Sequence, residues 1–124
     1  MSYAEALSAA GLVVEKIIYC GEWQGIWAAK LADDTYIIDY FGSCTGCDHY
    51  EGFMADFPSA WATEPNAVEA REDALRIFGQ TYVDQILTRE EYFALVMERY
   101  SDNYDGEHLP ELLALADFEQ SEPV

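Results

Sequence analysis

Three short runs rich in β-branched and aromatic residues lie close together near the start of the chain: Val13 to Tyr19, Ile26 to Leu31 and Tyr36 to Phe41. The gaps between them have the length and composition of turns. Cys20-Gly21-Glu22 with Gly25 suits the first, and Ala32-Asp33-Asp34-Thr35 suits the second. This spacing predicts a three-stranded antiparallel meander. Strict alternation of apolar and polar residues is poor in all three runs, so both faces of the sheet are expected to be partly covered.

The rest of the pattern is helical. Ser2 with Glu5, then Ala-rich sequence to Gly11, reads as a capped helix with a glycine stop. Asp48 and Glu51 can cap a helix that places Tyr50, Phe53, Met54 and Phe57 on one face and ends at Pro58. Asn66 with Glu69 starts a helix through Phe78 that stops at Gly79. Thr88 with Glu91 starts another through Tyr100, with Tyr92, Phe93, Val96, Met97 and Tyr100 expected inward. A last short helix follows Leu109-Pro110, where proline fits the first turn. No repeat or linker divides the chain. The expected architecture is one α+β domain over residues 1–118, a three-stranded antiparallel meander packed by several helices, with a frayed acidic tail at 119–124.

Charge narrows the function classes. The 124 residues carry 24 Asp and Glu against 6 Lys and Arg, a net of −18, while hydrophobic residues make up 51 %, enough for a folded core. Capturing nucleic acid phosphates or an anionic membrane surface needs Lys and Arg, so neither is an expected direct partner. No apolar run reaches membrane-spanning length and the start lacks a signal-peptide pattern, which predicts a cytoplasmic protein.

The stretch Phe41-Gly42-Ser43-Cys44-Thr45-Gly46-Cys47-Asp48 runs from a predicted strand into a predicted helix. Two cysteines separated by two residues can chelate a metal or close a small disulfide, and a helix N-terminus favours the thiolate. Structural zinc needs four ligands. Cys44 and Cys47 supply two, Cys20 is a candidate third, and His49, His108 or a carboxylate would complete the set. Three readings stand: a zinc knuckle, a redox dithiol, and two reduced cysteines that pack a tight turn. The last carries no cofactor. Together with Gly21-Glu22-Trp23-Gln24-Gly25, the motif resembles small uncharacterised proteins of bacteriophages and bacteria, in which a D-[YW]-Q-G segment precedes Y-G-S-C-S-G-C-D. The resemblance covers about residues 21–53. This chain has Glu22, Phe41 and Thr45 where that group has Asp, Tyr and Ser. It implies a phage or prophage origin and no established activity.

Acidic residues recur at helical spacing. Glu91, Glu98, Asp102 and Asp105 align if their helix extends that far, and Glu69, Glu72 and Asp73 line the preceding helix. Together they are expected to form a negative strip. Such a strip can imitate a nucleic acid backbone and occupy the basic groove of a nucleic-acid-binding host protein, such as a CRISPR effector or a restriction enzyme. A solvated acidic surface, or adaptation to a salty cytoplasm, explains the same residues without a partner. Trp23, in the first turn, is the expected exposed anchor; Trp27, on the middle strand, is expected to be buried. His49 and His108 are the only near-neutral bases, and neither belongs to a recognisable nucleophile arrangement. The sequence therefore points to a non-enzymatic inhibitor. A zinc or thiol protein and a virion or scaffold component are the alternatives.

Overall fold

The computed structural model describes residues 3–21, 25–42, 53, 67–100 and 106–118. The sheet contains β1 (Val14–Cys20), β2 (Gly25–Leu31), β3 (Thr35–Phe41) and a two-residue β4 (Leu87–Thr88), ordered β1-β2-β3-β4 with every pair antiparallel. The first three strands form the expected meander. β4 extends it, because Thr88 pairs with Thr35 and Leu87 with Tyr36 just before the next helix starts. Two residues give too little pattern to mark a strand in sequence. Among the described residues four α-helices complete the α+β domain: α1 (Tyr3–Ala9), α2 (Ala67–Gln80), α3 (Arg89–Tyr100) and α4 (Leu109–Leu115).

The turn chemistry works largely as the sequence suggests. Gly11 has a positive φ of 93°, and the amides of Gly11 and Leu12 donate to the carbonyls of Ser8 and Leu7, closing α1 with a Schellman motif. Asp34 takes the left-handed position of the β2–β3 hairpin, at φ 60°. At the start of α3 the Glu91 amide donates to Thr88 Oγ1 (3.1 Å) and the Thr88 amide donates to Glu91 Oε1 (2.9 Å), a reciprocal capping box. Gly79 differs from expectation. The helix runs through it to Gln80, and a Cβ at Gly79 would collide with the Ala6 carbonyl and Ala10. Its job is close approach of α2 to α1, which sequence cannot distinguish from a stop.

The sheet is covered on both sides, and this explains the poor alternation. Trp27, Ala29 and Leu31 of β2, with Ile37 and Phe41 of β3, pack against Tyr3 and Leu7 of α1 and Leu75 and Phe78 of α2. The intervening residues Ile26, Ala28 and Tyr36 face the other way, onto Tyr92, Val96 and Tyr100 of α3 and Leu112 and Leu113 of α4. β2 is buried on both faces, so it reads as a continuous apolar run. The inward set of α3 needs correction. Tyr92, Val96 and Tyr100 are buried, whereas Phe93 and Met97 are exposed by 38 % and 37 %. Phe93 turns sideways onto Phe118, which the chain carries past the end of α4 (ring centroids 4.5 Å). The expected helix at 48–57 lies outside the described residues except for Phe53, whose ring packs on Phe78 at 5.4 Å.

Candidate functional site

The acidic positions do not converge. Glu69, Glu72 and Asp73 are exposed on α2, and Glu91 and Glu98 are exposed on α3. Because α2 and α3 cover opposite faces of the sheet, the two rows cannot form the single strip expected from sequence. Residues on successive helices look adjacent in a sequence, but a sheet inserted between those helices separates them. Asp102, Asp105 and Trp23 lie outside the described residues.

The α2 row is also partly neutralised where it stands. Arg76 reaches Asp73 at 3.8 Å, and Arg71 reaches Glu5 of α1 at 3.3 Å. Glu91 is engaged in the α3 cap. Lys30 sits between Asp117 (3.4 Å) and Glu15 (3.9 Å). Arg89 donates to the carbonyls of Ala116 and Asp117 and stacks over Phe118, 3.9 Å from its centroid, which fastens the end of α4 to the start of α3. All six Lys and Arg of the chain fall among the described residues, and every described carboxylate side chain except Asp39 belongs to an exposed residue. Asp39, half-buried, accepts from the Tyr82 hydroxyl at 2.8 Å. Four of the six bases, Lys30, Arg71, Arg76 and Arg89, are thus engaged in local contacts while the acids remain at the surface in excess.

Cys20 closes β1 and is buried, 2 % exposed. Its thiol donates to Glu111 Oε2 on α4 at 3.1 Å. Burial, then that hydrogen bond and the Glu111 charge, push the thiol up to about 12. Without a metal this environment favours the neutral thiol. Glu111 lies 91 residues away in sequence, so no local signal links the pair. Cys44, Cys47 and His49 fall outside the described residues; among the described ones no group of three or more His, Cys, Asp and Glu is placed to hold a metal ion. His108 Nε2 lies 3.5 Å from Glu107 Oε1 at the entrance to α4. Among the described residues no helix is long and apolar enough to cross a membrane.

Sequence reasoning also missed the outer edge of β1, where Glu15 and Lys16 are both exposed. Strand order decides which strand is an edge, and order becomes visible only in the fold. Comparison with protein-family models, with curated proteins and with solved structures finds no match.

Proposed function

We propose that this chain is a non-enzymatic acidic binding protein that occupies the basic groove of a nucleic-acid-handling protein. The observation that carries the reading is the outward placement of the carboxylates, in excess over six bases of which four are already engaged in local contacts. A groove built for phosphate attracts any surface of comparable charge density. Glu69, Glu72 and Asp73 fall within about 6 Å of helix axis at 1.5 Å per residue, with Arg71 inside that span and Arg76 on Asp73, whereas Glu91 and Glu98 are seven residues apart. The α2 row is the denser of the two, and the α3 row is secondary. The phage origin implied by the cysteine motif agrees with an inhibitor of host nucleic-acid enzymes.

Tagged protein incubated with host lysate at low salt, then eluted in salt steps, tests this reading. The expected result is one basic nucleic-acid-binding protein, released by salt and displaced by added DNA or RNA. A triple charge reversal at Glu69, Glu72 and Asp73 should abolish capture, and reversal of Glu91 and Glu98 should weaken it. Capture that survives the triple reversal would show the α2 row is not the contact. The competing zinc or thiol role built on Cys44 and Cys47 gains nothing from the hydrogen-bonded, buried Cys20.

A further inference from the structure

The end of the sheet that carries the β2–β3 hairpin holds a small cavity of about 260 Å³. Leu12 and Val13, which lead from α1 into β1, form one wall; Leu31 at the end of β2 forms another, and Ile86, just before β4, the third. Val13 is 66 % exposed, so the mouth is apolar as well as the walls. The volume lies just under the roughly 300–1,000 Å³ of sites for drug-sized ligands and suits a single side chain or a molecule of that size.

Asp33 is the charged residue in this lining, and none of the six Lys and Arg lines it. The described ion pairs lead elsewhere: Lys30 to Asp117 and Glu15, Arg71 to Glu5, and Arg76 to Asp73. Arg89 is held by the carbonyls of Ala116 and Asp117. Asp33 therefore keeps its charge uncompensated among the described residues, and its Oδ1 accepts from Thr35 Oγ1 at 2.5 Å.

This combination selects the occupant. A purely apolar group would cover a carboxylate without compensating it, which costs free energy. A guanidinium binds best to both carboxylate oxygens at once, and Thr35 already engages one of them. An ammonium is a point charge that needs only Oδ2, and a lysine stem can lie along apolar walls while its head stays at the rim.

We propose that this cavity takes the lysine side chain of a partner protein, with its methylenes against Leu12, Val13 and Ile86 and its ammonium at Asp33. The inference deepens the reading above by naming a side chain through which the basic partner is held. It rests on that reading for the partner and uses neither acid row.

The probe for the side chain alone is n-butylammonium chloride, titrated into ¹⁵N-labelled full chain at constant ionic strength. Saturable amide shifts confined to residues 11–13, 31–33 and 86 are expected in the millimolar range. Asp33→Asn keeps an acceptor for Thr35 and should weaken the ammonium at least fivefold, while the weaker shifts given by 1-butanol stay unchanged. Val13→Ser, at an exposed position, should weaken both. No saturable shift, or equal ammonium affinity in Asp33→Asn, would overturn the site. In the lysate assay Asp33→Asn should release the captured protein at a lower salt step. Capture unchanged by Asp33→Asn would overturn a partner lysine as the occupant, even with butylammonium bound. If the lysate yields no basic protein the groove reading fails, and the ammonium titration still decides the cavity, so the two failures are separable.

Discussion

The two faces of the sheet solve the same burial problem by different means. The face under α1 and α2 is held mainly by shape: Tyr3 stacks on Trp27 at 4.5 Å, and Tyr82 meets Trp27 and Phe78 edge-on at 5.3 and 5.6 Å while its hydroxyl donates to Asp39. It carries a polar defect, since Trp27 Nε1 is buried with no hydrogen-bond partner. The face under α3 and α4 is held by directional bonds. Tyr36 stacks on Tyr92 at 4.8 Å and donates to Asp34, Tyr92 donates to the Leu112 carbonyl, and Cys20 donates to Glu111. Aromatic contact area tolerates an orphan donor because it supplies far more than the roughly 1–3 kcal/mol that such a donor costs. Each face pairs one short helix with a longer one, α1 with α2 and α4 with α3, so the difference lies in the side chains that meet the sheet and not in helix length.

The largest effect should follow truncation of the first face. Trp27→Ala removes the ring on which Tyr3 and Tyr82 pack, and a loss of about 3–5 kcal/mol is expected. Denaturant unfolding followed by aromatic circular dichroism would measure it. Because β2 contributes Trp27 to one face and Ile26 and Ala28 to the other, unfolding should remain a single transition. Two separated transitions would break the comparison by making the faces independent. Gly79→Ala comes next. In an exposed helix interior this change would stabilise by up to about 1 kcal/mol. Here the new methyl meets the α1 backbone, so a loss of roughly 1–3 kcal/mol is expected, and the sign alone reads out the α1–α2 approach.

On the second face the corresponding probe removes a bond and leaves the volume. Tyr92→Phe keeps the ring stack with Tyr36 and deletes the 2.7 Å bond to Leu112. It should cost about 1–2 kcal/mol, less than either change above. Hydrogen exchange should show the loss concentrated in α4. A uniform loss across the sheet would mean that the bond does not position that helix.

Legibility in the sequence followed the range of the physics. The β2–β3 turn, the Thr88–Glu91 cap and the β-rich runs are local, and the structure reproduces them within a residue or two. Gly79 shows the first limit: the same residue serves a stop and a close helix crossing, and only the neighbour at Ala6 distinguishes them. Phe93 shows the second, since its helical spacing promised burial in a core while Phe118, 25 positions later, drew it sideways. The acidic rows show the third. Which helix lies on which side of a sheet is a topological fact with no local signature, so Glu69, Glu72 and Asp73 could not be separated from Glu91 and Glu98 until the layers were placed.

The bonds of the second face should also give it a pH dependence, confined to alkaline conditions. Burial raises the Cys20 thiol above its ordinary 9.0 to about 12, aided by Glu111, and burial likewise raises the phenols of Tyr36, Tyr92 and Tyr100. In each case the neutral form is the one the folded state prefers. The unfolded chain therefore loses protons first as pH rises, and binds fewer protons than the native state above pH 9. Stability from Cys20 is fully present below pH 9 and is lost progressively between pH 9 and about 12. The unfolding midpoint should fall across that window, and in Cys20→Ala it should fall less steeply, the residual slope belonging to the tyrosines. Parallel slopes in the two proteins would mean that the thiol does not gain its proton from burial against Glu111, and the second face would lose one of its directional bonds.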